Sequence, residues 1–167
     1  ISSDGKIVQD GQKELKSDIR FSSIQKTRKE IFATDENGKP YIVNEELDSY
    51  QVLNIPKNII LLASTGSTCY FLDEEGALWT KNLMVEDSTP ILYENVESIP
   101  SISKIFSYGN NIILLDIHGN LWGRGTAIRG RNRYDFHEFC SGIYVNYVFA
   151  LNGNLSPFVI VDTEDNI

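Results

Sequence analysis

Apolar residues in this chain fall in short clusters, each followed by a polar turn and then a shorter apolar return. The two clearest cases are Cys69-Tyr70-Phe71-Leu72 before Asp73-Glu74-Glu75-Gly76-Ala77-Leu78-Trp79, and Ile112-Ile113-Leu114-Leu115 before Asp116-Ile117-His118-Gly119-Asn120-Leu121-Trp122. Apolar runs of this length, bounded by turn signals, suit strands rather than helices. Within Asp-x-x-Gly the Asp side chain can hydrogen-bond the turn backbone and the glycine can take positive φ, so each unit predicts a β-hairpin. Asp73, Gly76, Asp116 and Gly119 are therefore read as structural turn residues. Only Gln12 to Arg20 predicts helix, one or two turns of it.

The hairpins belong to a repeat. Ten residues before each turn glycine stands another glycine, Gly66 before Gly76 and Gly109 before Gly119. Weaker copies run from Phe32 through Asp35-Glu36-Asn37-Gly38 to Tyr41 and from Phe158 to Ile167, and Ser3-Asp4-Gly5-Lys6-Ile7-Val8 opens the chain in the same pattern. Asp35 and Gly38 are added to the structural turn residues. Turn positions 5, 38, 76, 119 and 165 are separated by 33, 38, 43 and 46 residues. That period suits propeller blades of about 40 to 50 residues better than any helical repeat. The expectation is an all-β chain of β-propeller-type repeats, either partial or a small four- to five-bladed propeller. Residues 1–167 would form a single repeat domain or a piece of a longer propeller. Asn54-Ile55-Pro56-Lys57-Asn58 and Ser98-Ile99-Pro100-Ser101 read as loops leading into the next unit. The N-terminal pattern would complement the last unit, because pairing first and last strands covers exposed edges.

At these residues the chain resembles the regulator of chromosome condensation repeat family, whose blades carry an apolar strand, a Glu/Thr-Asp-Gly turn and a Tyr/Trp-x-Trp-Gly strand. Ile113 to Gly125, with Leu121-Trp122-Gly123, matches best; Leu72 to Asn82 is second and has Thr80 where the family has glycine after Trp79. The segment Gly-Gln-Leu-Gly that follows in good family blades is absent, and no His follows Gly66 or Gly109. The resemblance implies a β-propeller that recognises proteins through its loops and faces. It further implies two alternatives: guanine-nucleotide exchange on a Ran-like small GTPase, or association with chromatin or nucleic acid. Family propellers have seven blades, whereas 167 residues supply fewer than four at about 45 residues each.

Charge narrows the field. The net charge is -8, with 15 Lys and Arg against 23 Asp and Glu, which opposes general binding to nucleic acid or anionic membrane over the whole surface. Runs such as Glu45-Glu46 and Asp73-Glu74-Glu75 read as a solubilising surface, with a basic protein partner as the sharper alternative. The longest apolar runs, Ile59 to Ala63 and Ile112 to Leu115, fall far short of the roughly 20 residues that span a bilayer. Cys69 and Cys140 are too few for a disulfide scaffold and lie among apolar neighbours, as buried free thiols do. With no visible signal peptide, they favour an intracellular setting without fixing the compartment.

One segment stands apart. Arg124-Gly125-Thr126-Ala127-Ile128-Arg129-Gly130-Arg131-Asn132-Arg133 holds four of the six arginines and no acid, carrying +4 and leaving -12 elsewhere. Guanidinium forks suit phosphate or carboxylate, so Arg124, Arg129, Arg131 and Arg133 are the candidate contacts for an anion, a nucleic acid or an acidic partner. The competing reading is a solvated loop whose arginines pair with neighbouring acids. Trp79 and Trp122 recur at matched positions, which points to blade packing over ligand stacking.

Catalytic and metal chemistry find no support. His137 and Cys140 are three apart on an expected strand, so their side chains point to opposite faces and cannot form a nucleophile–base pair. The two Cys and two His have no zinc spacing. Asp35 to Gly38 lacks the alternating ligands of a calcium loop, and Asn44 stands where the loop's Glu would be. No phosphate-binding loop or Gly-x-Ser-x-Gly elbow is present. The reading is a non-enzymatic interaction or structural module without a cofactor. It is expected to act on a protein partner and is able to self-associate or join a larger assembly.

Overall fold

The computed structural model describes residues 1–9, 13–27, 30–85, 87–93, 99, 101–125, 136–140, 145–150 and 158–162. They are all-β, in two compact units, Ile1–Tyr93 and Glu94–Ile167. In the first unit β1 (Val8–Gln9) pairs with β2 (Lys13–Glu14). Two four-stranded antiparallel meanders follow: β3 (Phe21–Lys26), β4 (Ile31–Asp35), β5 (Pro40–Val43) and β6 (Tyr50–Val52), then β7 (Ile59–Ser64), β8 (Thr68–Asp73), β9 (Leu78–Asn82) and β10 (Ile91–Leu92). The second unit has a third meander of β11 (Ile102–Tyr108), β12 (Asn111–Asp116), β13 (Leu121–Arg124) and β14 (His137–Cys140). It ends with the pair β15 (Val145–Ala150) and β16 (Phe158–Asp162).

The second strand of each meander is its most buried. All six residues of β12 and five of six in β8 are buried. A strand covered on both faces needs apolar side chains in both directions, which is why these segments read as unbroken apolar runs. The apolar strand before each turn is thus the second of its sheet, with another strand ahead of it. The fourth strands of the first two meanders are the opposite case: all residues of β6 and β10 are exposed.

Strand β4 joins two layers of core. Ile31 and Ala33 face a cluster with Ile7, Leu15, Phe21, Tyr41 and Val43, while Phe32 faces Ile55 of the connection to the next sheet and Ile59, Cys69 and Phe71 of that sheet. The alternation of side chains along a strand sends neighbours to opposite faces, so one strand feeds both layers. Phe32 and Phe71 meet edge to face, with ring centroids 5.6 Å apart.

Three expectations need correction or completion. Residues 13–20 form β2 and an extended loop, with no helix. Leu15 is the one apolar residue of that segment's start, it is buried in the core, and its N–H donates to the Ile7 carbonyl, so the segment is held as an edge beside β1. At the N-terminal turn Ser2, rather than Asp4, occupies the aspartate position: its hydroxyl accepts from Lys6 N–H at 3.0 Å, and Gly5 N–H donates to its carbonyl. Finally, the unit spacing shows which strands the ends represent. Strands β1–β2 follow their turn and so repeat the third and fourth strand positions. Strands β15–β16 end at Asp162, which sits at the register of Asp116, and repeat the first and second.

Candidate interaction surface

The hairpin turns are built from one hydrogen-bond circuit, present three times among the described residues. In the third meander Asp116 Oδ1 accepts from the N–H groups of His118 (2.8 Å) and Asn120 (2.9 Å), while Oδ2 accepts from Asn120 Nδ2 (2.9 Å) and Trp122 Nε1 (3.0 Å). In the second, Asp73 Oδ1 accepts from Glu75 and Ala77 N–H at 3.0 and 2.8 Å, and Oδ2 accepts from Trp79 Nε1 at 2.9 Å. In the first, Asp35 Oδ1 accepts from Asn37 and Lys39 N–H, both at 2.9 Å, and Oδ2 accepts from Tyr41 Oη at 3.1 Å. A carboxylate with both oxygens engaged satisfies turn donors that burial would otherwise leave unpaired.

The circuit explains the spacing in the sequence. The glycine three residues on donates its N–H to the Asp carbonyl at 3.0 to 3.2 Å, with φ between +81° and +85° at Gly38, Gly76 and Gly119. The aromatic residue six residues on lies across the hairpin and closes onto the free carboxylate oxygen. Trp79 and Trp122 have their ring N–H groups engaged here, and Tyr41, not singled out from sequence, does the same work with its hydroxyl. Its signal was present as the aromatic six residues after Asp35. Each turn is also tied to its own sheet, because the residue after the Asp donates to the residue before the first strand: Glu36 to Arg20, Glu74 to Asn58 and Ile117 to Ser101.

Electrostatics follow from these contacts. Burial acts to raise the Asp116 carboxyl, but hydrogen bonds from the Trp122 indole and from Asn120 outweigh it and hold the group below the usual carboxylate range. Burial, then the hydrogen bond to the Asp35 carboxylate, pushes the Tyr41 phenol up to about 12. Cys69 is a free, fully buried thiol whose burial pushes it well above the ordinary range, so it is a packing residue rather than a nucleophile. Beside it Lys81 is buried, its ammonium 3.5 Å from Glu30 and 3.4 Å from Ser88 Oγ.

The candidate contact residues divide. Arg124 closes β13 opposite Ile112. Gly125 follows at φ +136°, and a Cβ there would lie 2.5 Å from Asn111 Oδ1 and 2.6 Å from the Asn110 carbonyl, so only glycine fits where the chain leaves the sheet. Arg129, Arg131 and Arg133 lie outside the described residues, as does the turn near 165. His118 sits in its turn with its N–H on Asp116, and His137 begins β14 opposite Gly123. Among the described residues no group of three or more His, Cys, Asp or Glu is arranged to hold a metal, and no helix is long and apolar enough to cross a membrane.

No protein-family model and no curated protein sequence matches the chain. Solved structures do. Yeast RCC1 (Prp20) bound to Kap60 aligns over 87% of this chain and 42% of its own, at 14% identity and a TM-score of 0.66. Prp20p from Saccharomyces cerevisiae, described with its binding to Gsp1p and histones, aligns over 81% and 43%, at 13% identity and 0.61. Human WBSCR16 aligns over 72% and 37%, at 16% identity and 0.57. The fold is an RCC1-like β-propeller fold, as the repeat pattern implied, and the chain spans about two fifths of the length of these structures.

Proposed function

We propose that the chain is a non-enzymatic propeller module for protein recognition, and that Arg124, Arg129, Arg131 and Arg133 contact an acidic partner. The observation that carries this reading is the construction of the blades. Asp35, Asp73 and Asp116, with Gly38, Gly76, Gly119, Trp79 and Trp122, are consumed in holding hairpin turns, which leaves the arginine segment as the chemically distinctive feature of the sequence. It departs from a sheet at a glycine-only position, so its first residue is anchored on a rigid strand. Preorganised anchoring of this kind reduces the ordering cost of binding.

The test is a titration of a labelled acidic peptide of alternating Glu and Ser against the chain and against a variant carrying Arg124→Ala, Arg129→Ala, Arg131→Ala and Arg133→Ala. The variant is expected to bind at least tenfold more weakly; equal affinity would remove the arginines from the interface. A DNA duplex in the same assay separates nucleic-acid binding, whose affinity would fall steeply with salt. A second reading, guanine-nucleotide exchange on a Ran-like GTPase, draws on the likeness to Prp20p, described as binding Gsp1p. Fold alone does not carry an activity. Its signature is faster release of labelled guanine nucleotide from a Ran-like small GTPase when the chain is added, and release at the spontaneous rate removes it.

A further inference from the structure

The outer strand β6 ends its sheet, and its free edge has a readable register. Asn44 N–H donates to the Ser49 carbonyl at 3.2 Å and Leu53 N–H to the Pro40 carbonyl at 2.9 Å. Main-chain groups alternate in direction along an antiparallel strand, so Gln51 faces β5, and the N–H and C=O groups of Tyr50 and Val52 face away from the sheet. Both side chains are exposed, Tyr50 at 41% and Val52 at 44%, and Tyr50 packs edge to face on the buried Tyr41. The edge therefore pairs outward-facing backbone groups with a fixed aromatic platform. Unpaired edges of this kind are templates for an added strand.

The surroundings select what is added. The end of β6 opens into a cleft of about 640 Å³ lined by Glu30, Glu45, Glu46, Ser49, Tyr50 and Gln51 among others, with three carboxylates and, among the described residues, no basic side chain in its lining. Glu46 is met by Lys13 at 2.9 Å and Glu30 by Lys81 at 3.5 Å, whereas Glu45 has no ion pair among the described residues. We infer that β6 receives an extended, basic segment of a partner protein as a fifth strand, its backbone pairing with Tyr50 and Val52 and its cationic side chains meeting Glu45 and the Tyr50 ring. Cations favour the face of an exposed tyrosine as well as a carboxylate, so the platform and the glutamate select the same chemistry. The inference does not rest on the arginine segment.

The experiment is fluorescence anisotropy of a labelled decapeptide of alternating Lys and Val against the whole chain, beside its Glu and Val counterpart. Two variants divide the contributions. Val52→Pro removes an outward N–H and leaves the ladder to β5 intact, which an edge strand tolerates. Glu45→Gln removes only charge. The basic peptide is expected to bind at least tenfold more tightly than the acidic one, to weaken at least tenfold with Val52→Pro and to weaken severalfold with Glu45→Gln, with the variants melting within a few degrees of the parent. Equal binding of both peptides, or binding unchanged by Val52→Pro in a folded variant, would overturn the inference, as would no binding of the basic peptide.

Discussion

At Asp116 a single carboxylate gathers four donors, two from backbone and two from side chains. Replacing it with Ala leaves those part-buried donors without their acceptor, at a position that is 2% exposed. The expected loss is about 2–4 kcal/mol by urea denaturation, against a smaller loss for Asp116→Asn, which keeps part of the geometry. The sign of the pH effect follows from the lowered carboxyl. Its contribution is full above the unfolded value near 3.9 and is lost as pH falls through the folded value below that, so Asp116→Asn should flatten the acid limb of the stability curve. Tyr41 works in the other direction. Its phenol is pushed up to about 12, so its contribution is full below about pH 10 and is lost as pH rises towards 12. Tyr41→Phe should remove that alkaline loss, measured by thermal melts between pH 9 and 12. The turn roles of Asp73 and Asp116 were legible from Asp-x-x-Gly, whereas the hydrogen bond from each Trp six residues on was not, because the tryptophans read as packing residues. Tyr41 was missed with them, and its phenol hides its kinship to the two indoles.

Elements differ in how much of themselves the sequence displays. Central strands announce themselves, since β8 and β12 are buried on both faces and must be apolar throughout. The outer strands β6 and β10 do not, because exposed residues carry no pattern that burial would impose. Strand β2 is two charged residues, Lys13-Glu14, held in place by the neighbouring buried Leu15; local composition gave helix and tertiary pairing overrode it. The first strands carry another hidden feature, a β-bulge at the same place in each meander, where Ser22, Ile60 and Ser103 are skipped in the pairing. Ser22 and Ser103 use their hydroxyls on the carbonyls of the partner strand, at 2.8 to 3.3 Å. The turns also differ in their surroundings. Gly38 and Gly76 share a positive φ, but a Cβ on Gly38 would lie 2.9 Å from the Ile59 carbonyl, whereas one on Gly76 meets nothing within 4 Å. Gly76→Ala should cost about 1 kcal/mol from backbone strain, and Gly38→Ala clearly more, as read from paired denaturant midpoints.

For the whole molecule the repeat makes stability a matter of neighbouring layers. Removing residues 1–9 takes away Ile7, the Ser2 turn and β1, exposing the face of Phe21, Tyr41 and Val43. The expected loss is about 3 kcal/mol, a fall of roughly 6–12 °C in melting temperature by calorimetry. The all-β propeller architecture was readable from five turn signals at blade-like intervals, because each blade must solve the same turn problem. The surface was less readable: the β6 edge depends on which backbone groups point outward, and that is fixed by pairing rather than by residue type. The claim on which the rest depends is that one Asp–aromatic circuit, repeated, holds the blades. With only two tryptophans in the chain, indole N–H hydrogen exchange followed by NMR tests it directly. Both signals should exchange slowly, and Asp73→Ala and Asp116→Ala should each accelerate one of them at least tenfold while leaving the other unchanged. Two rapidly exchanging indoles in the folded parent protein would contradict the account.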